Sequence, residues 1–108
     1  MIRWPERLQY GGVSFPILFV DANHISDDRY GECGVVDGHL QVRVSDAMTG
    51  DFRDMVVCHE IVHAWLRLSG MNVEDEATEE LLCDTFGQGL LQVLRTMLEK
   101  GGVLADED

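Results

Sequence analysis

Cations are scarce in this chain. Eight Lys and Arg face twenty Asp and Glu, which leaves a net charge of −12. A field of that sign repels phosphate backbones and argues against nucleic acid as a direct ligand. The excess is uneven, because from Met71 to Asp108 ten acids oppose only Arg95 and Lys100. The expected consequence is a solvated acidic face and an acidic tail at about residues 101–108. Cysteine is also sparse: Cys33, Cys58 and Cys83 cannot all pair, and none belongs to a C-x-x-C unit. That excludes a disulfide framework and a zinc ribbon, and it predicts reduced thiols in a cytoplasmic protein. Long apolar runs are missing, so no membrane span is expected. The stretch Val13–Val20 is broken by Ser14 and Pro16 and runs into Asp21 without a cleavage site, so it does not read as a secretion signal. Repeats, low-complexity blocks and linkers are absent too. With 108 residues, the chain is expected to be a single domain with one thin core.

What is present divides into two halves. The first reads as β. Glu6–Tyr10 and Val13–Val20 flank Gly11-Gly12, a pair suited to a tight hairpin turn. Pro16 cannot donate to a ladder and pushes the second strand towards an edge or a bulge. Residues 21–30 are polar and predict a loop or a short helix. Glu32–Val36 and His39–Ser45 flank Asp37-Gly38, a strong hairpin signal. The second half reads as α. A helix is predicted from about Arg53 to Leu68, with capping oxygens in Thr49-Gly50-Asp51 and with Asp51 and Asp54 at the positive end of its dipole. It is apolar nearly all round and should lie in the middle of the domain. A second helix is predicted from Asp75 to about Lys100, with an apolar stripe of Leu82, Phe86, Leu90, Val93 and Met97. The expected fold is α+β: a small antiparallel sheet of two hairpins followed by two long helices.

Inside the first helix stands His59-Glu60-Ile61-Val62-His63, an H-E-x-x-H pattern. Positions i and i+4 share a helix face, so both imidazoles can reach one zinc ion. Glu60 points about 100° away around the axis, too far to ligate but placed beside the metal as a general base. By residue frequencies, a chain of this length carries the pattern by accident on the order of once in a few hundred. An unpaired ionisable triplet buried in a helix would also be costly without a metal. Zinc is therefore the predicted cofactor.

Two histidines need a third ligand. The metzincin continuation fails, because Leu66 and Ser69 stand where Gly and His are required. Glu76, Glu80 and Asp84 recur at steps of four on one face of the second helix, while Glu79 points elsewhere. Glu80 is the leading candidate, with Asp84 and Glu76 as alternatives. With Glu80 on the metal, Asp84 one turn on would accept the free N–H of a liganding imidazole. Glu76 and Glu79 read as solvent-facing charges, and Cys58 and Cys83 as buried filler.

With these residues in place, the chain resembles a known group. His59-Glu60-Ile61-Val62-His63 followed by Glu80-Leu81-Leu82-Cys83-Asp84-Thr85-Phe86-Gly87 is similar to the thermolysin-type gluzincin pattern, in which the Glu is the third zinc ligand and the Asp supports a liganding His. The wider arrangement resembles minimal zincin-like proteins common in bacteriophage and prophage genomes. It includes Asp27-Asp28-Arg29-Tyr30-Gly31 and Gly89-Leu90-Leu91-Gln92-Val93-Leu94-Arg95. The resemblance implies a metallopeptidase-like fold, zinc and a host-cytoplasmic setting; a protein or peptide substrate is the expectation if the chain is a peptidase. It leaves the oxyanion donor open, because no Tyr or His follows Glu80. Tyr30, His24, His39 and Tyr10 are the upstream candidates, with Tyr30 first. Two functions follow as expectations: a zinc-dependent peptidase using Glu60 as base, or a zincin scaffold serving as a protein-binding regulatory module. By fold analogy, the His39–Ser45 strand is expected to border the site and offer its edge to an extended peptide.

Overall fold

In the computed structural model, which describes residues 2–25, 29–71 and 73–100, both hairpins form at the expected places. Strand β1 (Arg7–Tyr10) pairs antiparallel with β2 (Val13–Val20), and β3 (Gly31–Val36) pairs antiparallel with β4 (His39–Ser45). Both turns have positive φ at their central residues: 55° and 85° at Gly11 and Gly12, 51° and 80° at Asp37 and Gly38. That backbone matches the right-handed twist of the flanking strands, which explains the choice of Gly-Gly and Asp-Gly. A 3-10 turn, Ala22–His24, follows β2. The Asp27-Asp28 pair and the acidic tail lie outside the described residues.

The sheet is mixed rather than antiparallel throughout. Its order is β1-β2-β4-β3, and β2 runs parallel to β4 from Ile17↔Val42 to Val20↔Ser45. Two expectations are corrected by this order. Strand β2 is interior, not an edge, and Pro16 is tolerated for a local reason. The Ile17 N–H donates to Glu6 C=O on the β1 side (2.9 Å), so the missing donor of Pro16 faces the other side, just before pairing with β4 begins. Strand β4 is interior as well, so the free edge beside the helices belongs to β3.

Alternation along the strands builds the core. Phe15 and Ile17 from β2 and Val42 and Val44 from β4 are buried with Val57, Ile61 and Ala64 of helix α1 (Gly50–Leu68). Helix α1 packs on β3 and β4 with one face and on helix α2 (Glu76–Glu99) with another, which accounts for its near-continuous apolar surface. No side chain caps α1 at Thr49, contrary to expectation, whereas Asp75 does cap α2 through the Ala77 N–H. No helix among the described residues is long and apolar enough to cross a membrane.

Two further expectations change. The buried face of α2 is Cys83, Gly87 and Leu91, and the predicted stripe is rotated from it: Phe86 is 59% and Val93 56% exposed. Helix α2 touches only α1 closely, so a narrow seam of small residues suffices there. Asp54 is not a surface dipole partner. It is fully buried and accepts hydrogen bonds from the Ile2 N–H (3.0 Å) and the Trp4 indole N–H (2.9 Å), pinning the first residues to α1.

Candidate metal centre

Helix α1 carries His59 and His63 one turn apart, with ring centroids 5.0 Å from each other. The antiparallel helix α2 brings a carboxylate to each ring nitrogen. Nδ1 of His59 lies 2.8 Å from Asp84 Oδ1, and Nδ1 of His63 lies 2.7 Å from Glu79 Oε2. The two Nε2 atoms then face one point, where the Glu80 carboxylate lies 3.1 Å from His59 and 3.0 Å from His63. A neutral imidazole has one N–H and one lone pair. In the tautomer that places the N–H on Asp84 or Glu79, each Nε2 lone pair faces a Glu80 oxygen, an arrangement that a cation between them would stabilise. Two imidazoles and a carboxylate are a donor set that could hold a divalent metal ion.

A fourth donor is close by. Ligand atoms of His59, His63 and Cys83 all lie within 4.8 Å of one another, so this trio could also hold a metal ion. Two ligand sets therefore compete, one completed by Glu80 and one by Cys83. Burial pushes the Cys83 thiol up to about 12, and the carboxylates of Glu80, Glu79, Glu60 and Asp84 reinforce that shift. Glu80 already sits against both Nε2 atoms, which makes it the stronger choice. Cys58 is buried behind α1 with Ile2 and Leu91, as packing. Its thiol is also pushed to about 12, by burial first and by Asp54.

Glu60 lies on the wall of the same cleft. Its side chain is 6% exposed, and burial raises its carboxyl from 4.5 to about 7; the neighbouring His59 opposes the shift and Glu80 adds to it. Gly31 of β3 makes this burial possible. A Cβ at that position would stand 2.8 Å from Val56 Cγ1 and 3.2 Å from Glu60 Cγ, so only glycine lets β3 lie against this part of α1.

The cleft encloses about 600 Å³ and opens between the two helices and the start of β3. Of the upstream oxyanion candidates, Tyr30 lines it, and His24, His39 and Tyr10 do not. Tyr30 is held by its carbonyl, which accepts the Ser45 N–H (2.8 Å), and by an edge-to-face contact with Phe52 at 5.1 Å. Asp84 lies against Nδ1 of His59. Glu79 does not point into solvent as expected, but holds His63. Helix spacing alone hides this, because Glu79 and Glu80 point about 100° apart and straddle the histidine from two sides. Glu76 lines the cleft one turn before Glu80 and touches neither histidine. No protein-family model, curated protein or solved structure matches the chain.

Proposed function

We propose that the chain is a zinc-dependent metallopeptidase, with His59, His63 and Glu80 holding the metal and Glu60 acting as general base. The observation that carries this reading is the shared cleft: both Nε2 atoms and the Glu80 carboxylate converge where the buried Glu60 forms the wall. A zinc ion on those donors supplies a Lewis acid that polarises a scissile carbonyl and acidifies water. The residues of the chain do the rest. Glu60 takes the proton of the attacking water and returns it to the leaving amine. Asp84 and Glu79 fix the tautomer and orientation of the two imidazoles through their Nδ1–H bonds. Tyr30 is the candidate hydrogen-bond donor to the developing oxyanion, and the free edge of β3 offers main-chain pairing to an extended peptide.

The test compares zinc-loaded wild type with Glu60→Gln on an unfolded protein substrate. Cleavage is expected to fall by about 10²–10⁴-fold in the variant while its zinc content stays unchanged. Equal cleavage by both proteins, or none by wild type, ends the proposal.

One observation favours a second reading. If Cys83 joins the two histidines and Glu80, four donors fill a tetrahedral site and leave no open position. The chain would then be a metal-stabilised scaffold acting as a protein-binding regulatory module. Binding of a hydroxamate to the zinc-loaded protein through the metal would rule that reading out.

A further inference from the structure

The cleft is chemically polarised along its length. Phe52, Met55, His59 and His63 follow one another on α1, while Gln88, Asp84, Glu80 and Glu76 run in the opposite order on α2. One end therefore joins Phe52 and Met55 to Tyr30, three exposed apolar side chains around an edge-to-face aromatic pair. Arg29 lines the cleft too, close enough to Glu60 for its charge to act on that carboxyl. The other end carries Glu76. Among the acids of this cleft, Glu80 and Asp84 are engaged with the histidines, and Glu60 is buried against Gly31. Glu76 is exposed and has no hydrogen-bond or ion-pair partner among the described residues.

The histidines stand between these two ends. At 1.5 Å per residue, Phe52 lies roughly 10 Å from the level of His59, and Glu76 roughly 6 Å from that of Glu80. An extended peptide advances about 3.3 Å per residue, so it reaches both ends within about three residues of the centre.

We propose that the occupant of this cleft is an extended peptide segment. It places a large apolar or aromatic side chain on Tyr30, Phe52 and Met55, and a Lys or Arg within about three residues on the other side, facing Glu76. This deepens the metallopeptidase reading and rests on it for the identity of the site. The net charge of −12 draws cationic segments to the molecule as a whole. Glu76 sets the direction, because a basic side chain at its end of the cleft meets an exposed carboxylate without a partner among the described residues.

The experiment measures binding rather than cleavage. Zinc-loaded Glu60→Gln protein is titrated with fluorescent peptides carrying an aromatic residue and, four to six positions away, Lys, Ala or Glu. The Lys peptide is expected to bind tightest, with a margin that shrinks as salt rises. Glu76→Lys is expected to shift the preference between Lys and Glu peptides by roughly tenfold towards Glu. Phe52→Ala is expected to weaken aromatic peptides while leaving the charge preference intact. Equal affinity for the three peptides, no measurable binding, or a preference unmoved by Glu76→Lys overturns the proposal. If the peptides bind in the expected order but wild type cleaves none of them, the peptidase reading fails and the recognition inference stands.

Discussion

Gly87 of α2 lies against the backbone of His59 of α1: a Cβ built on Gly87 would stand 3.1 Å from the His59 nitrogen and 3.2 Å from its Cα. The close approach of the two helices at this point brings Glu80 and Asp84 within reach of the histidine. A methyl group at Gly87 gains up to about 1 kcal/mol of helix propensity but forces the helices apart by a few tenths of an ångström. Gly87→Ala is therefore expected to bind zinc more weakly without a matching loss of stability. Gly87→Leu is expected to lose roughly 1–3 kcal/mol as well. Metal titration and urea unfolding on the same samples check both, and unchanged affinity in Gly87→Ala would count against this role for the contact.

Metal content should separate the two ligand sets. Glu80→Ala is expected to lose the bound zinc, and Cys83→Ser to keep about one ion per chain. Asp84→Ala and Glu79→Ala should retain the ion with affinity reduced about 10–100-fold, because their targets are the far nitrogens of the rings. The reverse result for Glu80 and Cys83 would transfer the ligand role to the thiol.

Glu60 makes the metal-free protein sensitive to pH. Its folded value of about 7 lies above its ordinary 4.5, so the folded state holds the proton more tightly. The stabilisation is fully present below about 4.5 and is lost as pH rises through about 7, amounting to a few kcal/mol at most. Denaturant unfolding of metal-free wild type across pH 5–8 is expected to show this decline, and Glu60→Gln to flatten it. Identical slopes would show that the carboxyl titrates normally.

Asp54 anchors the start of the chain by accepting two hydrogen bonds in a fully buried position. Asp54→Ala leaves the Ile2 N–H and the Trp4 indole N–H unsatisfied and should cost about 3 kcal/mol. Urea unfolding measures the loss, and a red shift of Trp4 emission in a Trp65→Phe background reports release of the segment.

The Tyr30 hydroxyl is expected to act on the rate, while its ring contributes to binding. Tyr30→Phe keeps the ring against Phe52 but removes the hydroxyl, and should lower kcat by about 10²-fold with little change in KM. A variant with wild-type kcat removes Tyr30 from the mechanism.

The sequence pattern made the local features legible. Gly11-Gly12 and Asp37-Gly38 mark their turns because positive φ demands such residues. The helical step of four places His59 beside His63 and Asp84 one turn beyond Glu80 in both sequence and structure. The non-local features were not legible. Nothing in Val13–Val20 says that it pairs with β4 as well as with its hairpin neighbour β1, since alternation fits parallel and antiparallel pairing alike. The face of α2 was misread because Gly87 and Cys83 do not score as apolar anchors, while Phe86 and Val93 do, although small residues are what close packing needs. Glu79 escaped for a similar reason, because its role depends on where His63 lies across the helix interface.

The candidate donors and their carboxylate holders all fall between residues 59 and 84, within one helix-turn-helix, whereas the glycine that walls in Glu60 belongs to the sheet. The candidate donors and the Glu60 carboxyl thus share one helical pair, and only the burial of that carboxyl depends on the sheet. Loosening the sheet would leave a hairpin still able to grip its ion but with a carboxylate open to solvent, so inactivation by mild denaturant should precede release of the metal.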